Sequence, residues 1–403
     1  MIIIIVLFWR VGQVLWRQVS PLRWFWATML SLKPLVDLTI DRSLSEYVTA
    51  LVWAPVGKRL AIASAAGEVV LWQEDFQETV LQTASGTSID ALGFSQEGQW
   101  LAAAGQTGEV MLWRLSADSP ERVKTLKWGS AWIDRLQWHP HQPWLACNCG
   151  KAVHIWDAEQ GETLATLELP ATVQDLGWSP DGTHLAVSAQ HRVHIWETSR
   201  WQCPQYEWAL MAASQTLQWS PEGAYLASAN QDNSVGVLTW DSVRALKEAA
   251  ENPPSDSQAE LPVLLGGLPG KVRQLAWADI PDADRSPILA TATRELVVMW
   301  ILVPGEGWQN WVLDLHQGTV LDVAFQAETC LLASMSDRGW ILLWQAAVEP
   351  VQVLEGAKEG FSCLAWHPTG EYLAAGGQQG EVLVWTLCPD ARKRILQQPE
   401  ALL

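Results

Sequence analysis

TVQDLGWSPDGTHLAVSAQHRVHIWE, Thr172 to Glu197, decides the fold. An apolar run ending in Trp178 meets Ser179-Pro180-Asp181-Gly182, residues that preset or tolerate tight-turn dihedrals. A second run carries Leu185-Ala186 and a third ends in Trp196, so the stretch reads as three short strands in succession. Outward from it the same unit recurs, with the third strand ending at Trp72, Trp113, Trp156, Trp196, Trp240, Trp300, Trp344 and Trp385. These tryptophans lie 41, 43, 40, 44, 60, 44 and 41 residues apart. Periods of about 40–45 residues with four strands each are those of propeller blades, units that bury their apolar faces only by stacking.

Each middle strand carries a Leu-Ala pair: Leu60-Ala61, Leu101-Ala102, Leu145-Ala146, Leu185-Ala186, Leu226-Ala227, Leu289-Ala290, Leu332-Ala333 and Leu373-Ala374. Adjacent strand residues face opposite ways, so one face of each sheet receives bulk and the other receives a methyl. That suits blades packed face to face. The first strand of each unit ends in an aromatic: Trp53, Phe94, Trp138, Trp178, Trp219, Trp277, Phe325 or Trp366. The repeat positions absorb 14 of the 27 tryptophans, which assigns half of them to core packing.

One further apolar strand precedes every unit: 35–40, 79–82, 123–126, 163–167, 204–208, 262–265, 311–315 and 351–354. Taken as the outer strand of the preceding blade, this makes an all-β, eight-bladed β-propeller of four-stranded antiparallel blades. The strand at 35–40 then completes the last blade, and closure leaves only short, protected edges. Seven blades plus a displaced unit is the alternative.

The units resemble WD repeats of the β-propeller family over residues 35–387, most closely in WSPDGTHLAVSAQHRVHIW (178–196) and HIWDAEQGETLATL (154–167). The copies diverge: Trp-Asp stands only at Trp156-Asp157 and Trp240-Asp241, the opening Gly-His pair is missing, and the turn Asp survives mainly at Asp232 and Asp337. The resemblance implies a closed propeller that binds other proteins. The departures put the family's buried polar tetrad in doubt in most blades, leaving stability to apolar packing.

The net charge of −18 lacks the basic footprint that nucleic-acid binding requires. The six cysteines are scattered, which is not a disulfide framework and points to a reducing, cytoplasmic setting. Residues 1–33 differ in kind, with Arg10, Arg17, Arg23 and Lys33 and no acid. Their apolar run is too short to span a bilayer. On a helical wheel turning about 100° per residue, Phe8, Val11, Leu15, Val19, Leu22 and Trp26 share one face. Arg10 and Arg17 lie opposite, with Trp9 and Trp16 at the boundary, the marks of a helix lying in an anionic membrane interface. The expectation is a short N-terminal helix making weak peripheral membrane contact through residues 1–20; the alternative is a leader ahead of a start at Met29. The domain reading is thus an extension at 1–33, a propeller at 34–388 with an insertion at 241–260, and a polar tail at 389–403. Within the insertion, 243–250 reads as a short helix ended by Asn252-Pro253-Pro254.

His139, His141, Cys147, Cys149, His154 and His194 crowd into blades three and four, and His and Cys are the natural zinc ligands. Their spacing matches no paired C-x-x-C or H-x-x-x-H pattern, so they read as surface or packing residues, with a zinc site as the alternative. A quinone-dependent propeller enzyme is a further alternative, but the Ala-x-Asp-x-x-Thr-Gly-x-x-x-Trp repeat that such enzymes carry is absent. No G-x-S-x-G elbow or Gly-rich phosphate cradle occurs, so the chain reads as no enzyme and needs no cofactor. Tryptophan is enriched at binding hot spots. Trp128, Trp132 and Arg135 around one loop, and Trp308 and Trp311 around another, are therefore the candidates for gripping a partner protein. The sequence reading is a monomeric, non-catalytic protein-binding scaffold.

Overall fold

The computed structural model describes residues 34–116, 119–243, 262–280 and 286–396. The strands form eight separate four-stranded sheets. In each, the innermost strand ends in the expected aromatic: Val48–Trp53, Ile89–Phe94, Leu136–Trp138, Val173–Trp178, Ser214–Trp219, Val272–Trp277, Val320–Phe325 and Phe361–Trp366. Each inner strand touches the inner strands of both neighbouring blades, so the eight form a ring around a central channel.

The last blade takes its outer strand from the other end of the chain. Val36–Ser43 pairs antiparallel with Glu381–Leu387, from Val36 opposite Leu387 to Ser43 opposite Glu381. The Gln352 side chain holds this strand from the blade before it. Its oxygen accepts the N–H groups of Leu35 and Val36 at 2.7 and 3.0 Å, and its nitrogen donates to the Val36 carbonyl at 2.7 Å.

There are eight buried apolar clusters, one at each blade interface. The Leu-Ala pairs explain this. All sixteen residues are 0 % exposed, and in every pair the Leu belongs to the cluster shared with the preceding blade and the Ala to the cluster shared with the following one. The third-strand tryptophan joins the Leu on the preceding side. Across the closing seam, Leu60, Ile62 and Trp72 of blade 1 pack on Ala374, Val382 and Val384 of blade 8. Truncating one such buried aromatic to Ala costs about 3–5 kcal/mol.

The inner-strand tryptophans do more than fill space. Trp53, Trp138, Trp178, Trp219, Trp277 and Trp366 each donate the indole N–H to a carbonyl on the preceding blade's inner strand: Ala365, Gly93, Gln137, Gly177, Gln218 and Ala324, at 2.9 to 3.2 Å. Phe94 and Phe325 have no such donor. At the far mouth a second set of links joins neighbouring blades: His139 Nε2 to Gly182 O at 2.8 Å, Gln326 Nε2 to Gly370 O at 2.7 Å, and His367 Nε2 to Gly57 O at 2.9 Å. Gly182 has φ +71°, and a Cβ there would lie 2.4 Å from the His139 ring, so the turn glycine satisfies the dihedral and the close approach together.

One buried chain of the tetrad kind does form. In blade 7, His316 Nε2 lies 2.7 Å from Ser334 Oγ, which accepts the Trp344 indole N–H at 2.8 Å. His316 stands where the repeat usually opens, without its glycine. In blade 6, Thr291 Oγ1 accepts the Trp300 indole at 3.2 Å. In blade 1 the corresponding position is Ile62, and Trp72 Nε1 finds no hydrogen-bond partner among the described residues.

Beyond Leu387 the polar composition conceals a helix. Ala391–Leu396 buries Ala391 and Ile395 in the last blade's core. Arg394 Nη2 donates to the Pro34 carbonyl at 2.7 Å, and Cys388 N donates to Leu35 O at 2.8 Å, so the C-terminal segment fastens the closing strand. The insertion shows a helical turn over 240–243; its remainder to 260, and the expected membrane-contact residues Trp9, Arg10, Trp16 and Arg17, lie outside the described residues.

Candidate functional site

Seven of the eight inner strands slip register at their second residue, between Val48 and Ala50, Ile89 and Ala91, Val173 and Asp175, Ser214 and Thr216, Val272 and Gln274, Val320 and Asp322, and Phe361 and Cys363. A bulge leaves the extra residue unpaired and re-aims its side chain. Gln174, Gln215 and Arg273 are such residues, and all three line a cavity of about 600 Å³ at this mouth of the channel. Blade 3 is the exception. Its inner strand starts only at Leu136, so residues 128–135 remain a loop and bring Trp132, Asp134 and Arg135 into the same cavity.

The loop is rigidly held. Ile133 is fully buried and its N–H donates to Gly105 O at 3.1 Å. Trp132 is 51 % exposed, yet its indole N–H donates to Asp90 at 2.8 Å, which fixes the ring against the rim. Asn148 braces the loop twice, accepting Arg135 N–H at 3.0 Å and donating to Asp134 at 2.8 Å. The Arg135 guanidinium is held on two edges. Nη1 reaches the Asp134 carbonyl and carboxylate at 2.9 and 3.2 Å, and Nε lies 3.2 Å from Asp175 Oδ1. Nη2 makes no hydrogen bond or ion pair with the described residues.

Asp175 is buried and also accepts Thr216 Oγ1–H, Leu217 N–H and Leu176 N–H at 2.9, 2.8 and 3.0 Å. Burial pushes its carboxyl above the usual carboxylate range, and the Arg135 charge opposes that shift. Asp322 fills the equivalent place in blade 7, accepting Val323 N–H at 2.9 Å and Leu364 N–H of the next blade at 3.2 Å. Burial pushes it up to about 6. Across the cavity from Arg135 stand Lys271 and Arg273, both exposed and forming no ion pair among the described residues. The Gln215 side-chain oxygen is buried and has no hydrogen-bond partner among the described residues.

Of the residues singled out in the sequence, Trp132 and Arg135 meet in this cavity. Trp128 instead stacks on His154, with ring centroids 4.6 Å apart and planes 6° apart. Trp308 and Trp311 do not flank a loop. They lie inside the outer strand of blade 6, Gly307–Leu313, because residues 307–311 continue the pairing against 299–303. Trp308 packs on Tyr225 and Trp277, and Trp311 donates to Ala347 O at 2.9 Å. The sequence reading missed Asp175, Lys271, Arg273 and Gln215. Their common signal is position: each falls within three residues of the start of an inner strand, around the bulge.

The His/Cys group is not brought together. His139 Nδ1 accepts the N–H groups of His141 and Gln142 at 3.0 and 2.9 Å while Nε2 bonds the next blade. His154 lies 3.1 Å from Thr166 Oγ1, and His194 lies 3.6 Å from Glu207. Burial lowers the pKa of all three. Cys147 Sγ contacts the His154 carbonyl, and burial raises its thiol. Among the described residues no three His, Cys, Asp or Glu side chains are grouped to hold a metal, and no helix is long and apolar enough to cross a membrane.

A closed ring of eight divergent blades, with a fixed loop and unpaired cations at one mouth, defines a repeat propeller with a shaped rim. Four stretches match the family described as WD domain, G-beta repeat: residues 78–114, 120–157, 161–197 and 348–386. Each match spans the outer strand of one blade and the three inner strands of the next, so four of the repeating units match WD repeats within an eight-bladed β-propeller. No curated protein matches it.

Proposed function

We propose that the chain is a non-catalytic scaffold that holds a partner protein at the channel mouth formed by blades 3 to 6. One observation carries this reading: the half-exposed Trp132 and the braced Arg135 face the same cavity as Lys271 and Arg273, on a loop that departs from the repeat in blade 3 alone. A large ring and an arginine held in place lose little conformational freedom on binding, which is what a hot spot requires. The family's general use as a protein-interaction platform supports the same reading.

The test is site-specific photo-crosslinking in the full chain, with the crosslinking residue at position 132 or, as the control, at position 160 on the opposite rim. A discrete partner adduct from position 132 and none from 160 is the expected outcome. No adduct from 132, or equal adducts from both, refutes the assignment of this mouth.

A further inference from the structure

Resting on that reading of the mouth, we infer that its partner segment is acidic, an extended peptide whose Asp or Glu carboxylates lie between Arg135 and the pair Lys271 and Arg273. The charge distribution is the first ground. The chain carries −18 overall, yet the cavity is lined by three cations and one acid, Asp134, whose carboxylate is already engaged by Arg135 and Asn148. A local positive site in a negative field discriminates by sign. It admits a carboxylate and leaves a basic segment to the rest of the surface.

The second ground is the state of the arginine. Asp175 holds its Nε and Asp134 its Nη1, Nη2 makes no hydrogen bond or ion pair with the described residues, and the side chain, which lines the cavity, is 40 % exposed. Arginine recognises carboxylates through its planar fork of donors, and a guanidinium already held on two edges gives up little freedom when a third group arrives. Lys271 and Arg273 supply charge without such bracing. They stand two residues apart around the bulge of blade 6, with Arg273 at the re-aimed position.

The third ground separates a peptide from a bare anion. The cavity also offers an apolar face, the exposed half of Trp132. A bare anion does not use it. An extended acidic segment uses both features, with a carboxylate on the cations and an apolar side chain on the Trp132 ring.

The experiment is fluorescence anisotropy on the full chain with two labelled pools of dodecapeptides. One mixes Asp and Glu with Leu and Phe; the other has Asn and Gln in place of every acid. The acidic pool is expected to bind and to weaken steeply with added salt, and the amide pool to bind at least about ten-fold more weakly. K271E/R273E alters two exposed side chains that form no ion pair among the described residues, so it keeps the wild-type melting temperature and loses about ten-fold or more of the acidic-pool affinity. Equal binding of the two pools, or unchanged affinity in K271E/R273E, overturns the acidic assignment. The crosslink from position 132 separates the two failures. If it persists while acidity proves irrelevant, the mouth still binds a partner and only the chemistry proposed here is wrong; if it is absent as well, both readings fall.

Discussion

Blade 7 contains two buried titratable groups whose linkages to folding oppose each other. Burial lowers His316 to about 3, and burial raises Asp322, a few residues on, to about 6. The folded chain keeps His316 neutral, while the unfolded chain takes up its proton below about pH 6.5. His316 therefore withdraws stability as pH falls from about 6.5 toward 3. Asp322 is protonated in the fold but not in the unfolded chain between about pH 4 and 6, so it adds stability as pH falls through that window. Integrating each from pH 7 to about pH 4.5 gives a loss of roughly 2.5 kcal/mol for His316 and a gain of roughly 1–2 kcal/mol for Asp322. The lower end applies because Asp322 is not fully covered. The Asp322 gain offsets only part of the His316 loss in the native protein. Urea unfolding at pH 7 and 4.5, followed by tryptophan fluorescence, measures this directly. The pH-dependent part is each variant's ΔΔG at pH 4.5 minus its ΔΔG at pH 7. Asp322→Asn is expected to be further destabilised at pH 4.5, by roughly 1–2 kcal/mol, and His316→Gln to recover roughly 2.5 kcal/mol relative to wild type. Both substitutions also cost stability at every pH through lost hydrogen bonds, and the subtraction removes that part. Shifts of the same sign in both variants, or below about 0.5 kcal/mol in each, refute the opposed-linkage argument.

Two further outcomes follow from the hydrogen bonds. Trp72→Phe and Trp344→Phe remove equal apolar bulk, but Trp344 donates to Ser334 whereas Trp72 has no acceptor among the described residues, so Trp344→Phe should cost about 1 kcal/mol more in denaturant titrations; equal costs would contradict the assignment. A chain starting at Ser45 lacks the strand Val36–Ser43 and exposes the edge at Glu381–Leu387, so it should melt several degrees lower and aggregate more readily. Melting at the full-length temperature would show that closure through that strand contributes little.

Most of the fold was legible in the sequence because it rests on spacing and size. A tryptophan every 40 to 44 residues, broken once by an insertion, with a Leu-Ala pair between, sufficed to count blades and place the closing strand. The site was less legible, for three reasons. The bulge at the second inner-strand residue is a matter of register, and no residue type announces it. The indoles of Trp53 and its counterparts were read as bulk, since the carbonyls they reach lie on a different blade, about 40 residues away or across the ring. His139 looked like a metal ligand because its residue type suits zinc, while the partner that occupies it, the Gly182 carbonyl, is backbone and carries no sequence signature. The C-terminal helix was hidden for a related reason: of its described side chains only Ala391 and Ile395 are buried, too few to show periodicity.

The closing strand also sets a timetable. Val36–Ser43 is among the first parts of the described chain to be synthesised, and its partner, Glu381–Leu387, among the last. At ribosomal rates of about 5–20 residues per second, the strand waits roughly 20–70 s with its backbone groups unsatisfied. No local pairing relieves it, because its strand partner lies in the final blade. The final blade thus acts as a latch whose two halves meet only after the seven blades between them have been made. The bonds concentrated there suit a seam that must be won late: Gln352 holding the strand, Arg394 holding Pro34, Trp53 reaching Ala365 and His367 reaching Gly57. In a growing chain the most exposed stage is therefore the seven-blade intermediate, with one blade's inner face and one orphan strand open to other copies of itself.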